Sequence, residues 1–105
     1  MYLIFDTETT GLPLRRNALI KEVDNWPRLV QIAWQVHDAF GNLKSQGNKI
    51  IKPEGYTIPF NAQKIHGITT ERALLEGDSL KSVLDLFAGE LKNIQVLVGH
   101  NIDFD

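Results

Sequence analysis

Tyr2-Leu3-Ile4-Phe5 is an unbroken apolar run that stops at Asp6 and meets a Gly11-Leu12-Pro13 break. A run this short predicts a strand covered on both faces, with acids at its carboxyl end. Residues 29–38 alternate instead. Val30, Ile32, Trp34 and Val36 share one side, and Gln31, Ala33, Gln35 and His37 the other. That is the period of a strand with one apolar face. Phe40-Gly41-Asn42 supplies a turn, and residues 43–52 return as a weaker, more polar strand, so the pair reads as a hairpin. Residues 13–27 show no period and carry Arg15, Arg16 and Lys21, with Arg28 close by. They read as a long loop, and such loops are usually functional or mobile.

Thr69 or Thr70 is placed to cap a short helix that ends before Gly77, and Asp78 or Ser79 to cap a longer one. In the longer helix Leu80, Val83, Leu84, Phe87, Leu91 and Ile94 recur at helical spacing, which predicts one buried stripe. Gln95-Val96-Leu97-Val98 is a second short apolar strand, followed by Gly99-His100-Asn101. The order is strand, strand, strand, helix, helix, strand. This is an α/β arrangement in which two apolar strands end in polar residues, the place where open α/β sheets put their sites.

Composition narrows the classes. A chain of 105 residues with 43% hydrophobic and 23% charged residues fits one small globular domain. No apolar run approaches the ~20 residues of a membrane span, so no membrane partner is expected. The start, MYLIFDTETT, has no basic region or small-residue cleavage site. Cysteine is absent, which removes disulfides and thiolate sites and fits a cytoplasmic location. The net charge is −2, from 11 bases and 13 acids. Setting aside Asp6, Glu8, Asp103 and Asp105 leaves 11 bases against 9 acids. An acid cluster on a mildly basic body keeps nucleic acid open as a partner.

Asp6-Thr7-Glu8 supplies the first candidate chemistry. In extended backbone, residues two apart face the same side. Two carboxylates ~4 Å apart repel by about 4 kcal/mol at an effective dielectric near 20, and a bound divalent cation reverses that sign. All-oxygen ligands suit Mg²⁺ or Mn²⁺. A second polar cluster, Gly99-His100-Asn101-Ile102-Asp103-Phe104-Asp105, follows the last apolar strand and offers two more acids.

Three segments together resemble a known family. Ile4-Phe5-Asp6-Thr7-Glu8-Thr9-Thr10-Gly11-Leu12 is similar to the first motif of the DEDD-type 3′–5′ exonucleases, DEDDh subgroup, a superfamily that includes the proofreading epsilon subunit of bacterial DNA polymerase III. Ile65-His66-Gly67-Ile68-Thr69 resembles the H-G-I-T segment between the family's first and second motifs. Val98-Gly99-His100-Asn101 through Phe104-Asp105 resembles the second motif, G-H-N-x-x-F-D. The resemblance implies an α/β, RNase H-like fold, a mixed sheet with flanking helices. It implies two divalent ions, Mg²⁺ or Mn²⁺, held by catalytic Asp6, Glu8 and Asp105. Asp103 falls at a variable position of the motif. Thr9, Thr10, Gly11, Leu12, His66 and Asn101 are implied substrate contacts, with Leu12 as a wedge beside the terminal base.

The implied activity is hydrolysis of DNA from a 3′ end to nucleoside monophosphates, in proofreading or repair. Single-stranded DNA is favoured over RNA, and a DNA polymerase subunit is a second partner. The family's third motif, with a general-base histidine and the fourth acid five residues later, is not found. His100 with Asp105 has that spacing, but both belong to the second motif; His66 with Glu71 comes too early. Residues 1–105 therefore read as the N-terminal part of one exonuclease domain, truncated on its C-terminal side and inactive alone. Two other classes share parts of this pattern. A D-x-D phosphatase fails because Glu8 stands where its second Asp belongs. A non-catalytic RNase H-like module that binds nucleic acid or a polymerase is the alternative.

Overall fold

The computed structural model describes residues 1–12 and 26–99. Its frame is a four-stranded sheet in the order β3-β2-β1-β4, with β1 Tyr2–Thr9, β2 Leu29–His37, β3 Leu43–Ile50 and β4 Val96–Gly99. β2 runs antiparallel to both β1 and β3, while β4 lies parallel to β1. A parallel neighbour needs a crossover. Here the crossover carries three helices: α1 Phe60–His66, α2 Thr70–Glu76 and α3 Leu80–Glu90, with one 3₁₀ turn at Leu91–Asn93.

The alternation of β2 sets which face is covered. Val30, Ile32, Trp34 and Val36 are all buried, and with Leu3, Phe5, Ile51 and Val83 they form most of the core. Phe87 of α3 is the wedge. Its ring centroid lies 5.7 Å from that of Phe5 and 5.4 Å from that of Trp34, the latter edge-on at 72°. A smaller cluster of Val30, Ile58, Ala62, Ile68 and Ala73 seats α1 and α2 beside it. The hairpin and the caps form as the sequence predicts. Asp38 accepts from the Phe40 and Asn42 backbone N–H groups at 2.9 and 3.0 Å, and Gly41 takes the left-handed φ of 82° that the turn requires. Thr69 caps α2 by accepting from the Arg72 N–H at 3.1 Å, and Ser79 caps α3 by accepting from the Ser82 N–H at 3.2 Å.

Four expectations are corrected. β1 does not stop at Phe5 but runs to Thr9, because the ladder with β2 continues through Asp6↔Ala33 and Glu8↔Gln31. β1 is covered on one face among the described residues: Leu3 and Phe5 are buried, while Ile4 is 42% exposed. β4 is likewise exposed along its length. The sequence pattern assigns two helices, and the structure adds a third, α1, ahead of them. It starts after Pro59 and ends on Gly67 at φ 74°, whose N–H donates to the Gln63 carbonyl. The predicted stripe is narrower and outruns its helix: α3 ends at Glu90, Val83 is buried, Phe87 with Leu91 of the 3₁₀ turn and Ile94 beyond it pack on the core, but Leu80 and Leu84 are largely exposed. Among the described residues no helix is long and apolar enough to cross a membrane.

Candidate active site

Asp6 and Glu8 are alternate residues of β1, so their side chains leave the same face, the one opposite Leu3 and Phe5. Asp6 is exposed and Glu8 half-buried. Among the described residues neither carboxylate has a hydrogen bond or an ion pair, and no third His, Cys, Asp or Glu joins them. Asp6 lines an open cleft of about 590 Å³ whose walls include Ile4, Ala33, Gln46, Asn48 and Val98. Across β2 the same face is paved with amides. Gln31, opposite Glu8, donates through Nε2 to Asn48 Oδ1 at 2.7 Å. Period-two alternation puts Gln31 on this side, which was legible; its bond to Asn48 depends on strand register, which was not.

On the other side β4 brings the second motif alongside. Val98 pairs with Ile4 and Gly99 with Phe5, one residue before Asp6. Because the strands are parallel, Gly99 ends β4 at the same end of the sheet that carries Asp6. His100, Asn101, Asp103 and Asp105 lie outside the described residues, as do Arg15, Arg16, Lys21 and most of the expected loop.

The turn after Glu8 is held by side-chain hydroxyls. A ladder irregularity falls between Glu8 and Thr9. Thr9 Oγ1 donates to the Gly11 carbonyl at 2.7 Å. Thr10 is tied to the chain before β2: its N–H donates to the Arg28 carbonyl at 3.0 Å, and its Oγ1 accepts from the Arg28 N–H at 2.9 Å. Leu12 is 80% exposed at the tip.

His66 is the last residue of α1. Its Nδ1 accepts from the Ile68 N–H at 3.0 Å. In the neutral ring the proton therefore sits on Nε2, which is buried without a hydrogen-bond partner. No hydrogen bond or ion pair links His66 to Asp6 or Glu8 among the described residues.

The donor set fits a hard divalent cation. Two carboxylates of like charge share one face, near the mouth of a cleft, and among the described residues no basic side chain pairs with either. Mg²⁺ and Mn²⁺ take such oxygen ligands and keep several waters.

Comparison with known proteins agrees with this geometry. The RNase_T family, described as exonuclease, matches residues 3–105. The chain is 34% identical over 105 residues to the PolC-type DNA polymerase III of Streptococcus pyogenes serotype M2 (strain MGAS10270), covering 99% of this chain and 6% of that protein. Crystal structures of Escherichia coli exonuclease I share the fold. The complex with a 5cy-dA13 oligonucleotide superposes with a TM-score of 0.75 at 21% identity, covering 95% of this chain and 20% of that one. The complex with a dT13 oligonucleotide gives the same values. The expected RNase H-like class, a mixed sheet with flanking helices, is thus the observed one. With its family profile matched almost end to end, the chain belongs to the RNase_T exonucleases, of the DEDD 3′–5′ type.

Proposed function

We propose that residues 1–105 are the N-terminal part of a metal-dependent 3′–5′ exonuclease domain that removes nucleoside monophosphates from single-stranded DNA. The observation that supports this most directly is the pair Asp6 and Glu8 on one face of β1, with the second motif's strand parallel and adjacent. Asp6, Glu8 and Asp105 are the residues proposed to hold Mg²⁺ or Mn²⁺. When bound, such ions lower the pKa of a water and offset charge on the phosphate and the leaving oxygen.

The chain's own residues do the rest. Asp6 and Glu8 supply negative oxygens at fixed separation along a rigid strand. The Thr9-Thr10-Gly11 turn, pinned to Arg28, is closed to a continuing strand and favours an end. Its backbone groups are placed for a free 3′-hydroxyl, and exposed Leu12 for the gap between the last base and its neighbour. His66 is proposed beside the terminal nucleotide, and Asn101 beside the phosphate. Parting a base from its neighbour costs a few kcal/mol in a duplex and least where it is unpaired, so frayed or single-stranded ends are preferred. Residues 1–105 contain no third-motif histidine, so this span by itself is expected to bind ends without cutting them. Service in proofreading or repair, beside a polymerase subunit in the cytoplasm, follows the same reading.

The assay uses the polypeptide carrying the whole domain and a 5′-labelled oligonucleotide. A free 3′-hydroxyl should give a mononucleotide ladder in Mn²⁺, and a closed single-stranded circle should survive. Rapid cutting of the circle would mean an endonuclease and remove the end-recognition role of the turn. Binding without metal-dependent cutting would favour the non-catalytic module.

A further inference from the structure

Arg28 directly precedes β2, at the end of the sheet that carries Glu8 and Thr10. Its backbone is fixed twice, by the two bonds to Thr10. Its side chain is placed as well: the guanidinium carbon lies 5.3 Å from the centroid of the Tyr56 ring. Tyr56 is itself anchored, its hydroxyl donating to the Leu29 carbonyl at 3.2 Å. Burial pushes the Tyr56 phenol above its ordinary pKa, against a lowering by Arg28, and nearby Glu54 raises it further. The ring thus stays neutral and keeps its donor at physiological pH. Arg28, Tyr56, Lys52 and Glu54 line a cleft of about 140 Å³.

Lys64 also lies over a ring, its Nζ 5.5 Å from the Phe60 centroid, but as a compact ammonium and not a planar fork. Lys44, Lys49, Arg72 and Lys81 each pair with a carboxylate. Among the described residues Arg28 has no such partner; it rests on a ring and stays exposed. Two cations against one acid leave this cleft positive on a chain whose net charge is −2. A guanidinium that rests over an aromatic ring and pairs with no carboxylate has its N–H fork available for an anion, and phosphate is an anion that fork fits well. Arginine on an aromatic platform is also a sequence-tolerant way to hold single-stranded nucleic acid.

We infer that Arg28, seated on Tyr56, binds a phosphate of the single-stranded substrate beyond its terminal nucleotide. The inference rests on the nuclease reading, because it takes the strand's end to lie at Asp6 and Glu8. Arg28 then guides the strand into the turn that its own backbone braces.

The test is fluorescence anisotropy of a 5′-labelled oligothymidylate across a salt series, in Ca²⁺. Four proteins are compared: wild type, Arg28→Gln, Arg28→Lys, and Lys81→Gln as an equal charge change on α3. Arg28→Gln leaves the backbone bonds to Thr10 in place, and thermal melts check the fold of each. Loss of one phosphate contact should weaken binding by roughly 3- to 10-fold and lower the log–log salt slope by about 0.7. Arg28→Lys should keep the slope and recover part of the affinity, and Lys81→Gln should stay within twofold. An Arg28→Gln no weaker than Lys81→Gln overturns the inference and leaves the nuclease reading standing. A wild type that binds no oligothymidylate at any salt overturns both.

Discussion

Trp34 and Gly47 face each other across β2 and β3, and the indole occupies the space a side chain at Gly47 would need: a Cβ built there meets the Trp34 ring at 2.2 Å. Gly47 is thus the floor on which the central core aromatic lies. Gly47→Ala should force the indole off its rotamer and its contact with Phe87, at a cost of about 1–3 kcal/mol. In a domain of this size each kcal/mol lowers Tm by roughly 4–8 °C. Pairing Gly47→Ala with Trp34→Leu should cost less than the two changes summed, since the smaller side chain clears the space. Strict additivity in calorimetric melts would show that the two residues do not compete for that volume.

Asp6 and Glu8 should titrate metal as a pair. Mn²⁺ at about 100 times its dissociation constant stabilises a one-site protein by about 2.7 kcal/mol. Asp6→Asn and Glu8→Gln should each abolish most of that gain. Without metal, both variants should melt at or above wild type, because one of two like charges is gone. Equal Mn²⁺ affinity in wild type and Asp6→Asn, read by calorimetric titration, would remove these carboxylates from the metal site.

The second motif holds two acids, and the proposed role falls on the later one. In the complete domain Asp105→Asn should lower turnover by more than a hundredfold, comparable with Asp6→Asn, while Asp103→Asn should stay within a few fold. The steady-state rate on a single-stranded oligonucleotide decides it. A dead Asp103→Asn beside an active Asp105→Asn would transfer the role.

Asp38 gives the fold an acid-sensitive turn. Its backbone bond from Asn42 is the main cause of a carboxyl pKa below the ordinary 3.8, with Phe40, the Asn42 side chain and Lys44 acting the same way and desolvation opposing. A folded pKa below the unfolded one means the contribution is complete above pH ~4 and fades as the pH falls through the folded value. Asp38→Ala should therefore melt lower near neutrality and show a flatter acid limb below pH ~4. Parallel pH profiles for wild type and variant would contradict this.

His66 should matter to the fold through one atom. Replacing it by Phe strips the Ile68 N–H of its acceptor, a loss of about 1–3 kcal/mol for a buried donor. His66→Asn, which keeps an acceptor at similar reach, should lose less. Melts of the two variants check the order, and nitrogen NMR should find the neutral ring protonated at Nε2.

Much of this architecture is readable from the chain, and the gaps have physical causes. The alternation of Val30, Ile32, Trp34 and Val36 is strong because one sheet face is wholly buried, so β2 and its hairpin come out directly. Asp6 and Glu8 were expected just past a strand, because acids are poor strand formers; pairing with β2 outweighs that preference. Helix α1 is hidden because Ala62 is its only buried residue, too little for a periodic stripe. At the site, spacing alone aligns Asp6 with Glu8. The pairing of Gln31 with Asn48 is made by strand register, and that of Arg28 with Tyr56 by a ring contact, neither of which leaves a local signature.

The parallel pairing of β1 with β4 carries a consequence for the order of assembly. The Gln95 N–H donates to the carbonyl of Met1, and the N-terminal ammonium donates to the Gln95 side chain, across 94 positions of chain. The antiparallel strands β1, β2 and β3 are contiguous in order and can pair as they leave the ribosome. β4 follows the helical crossover in the chain, so it cannot pair with β1 until that crossover has been synthesised. Closing so long a loop is among the slowest contacts a domain forms. The carboxylates of the first motif are therefore present early, on an incomplete sheet, and gain the second motif's strand last. Chemistry that needs both motifs is withheld until this 94-residue closure has been made.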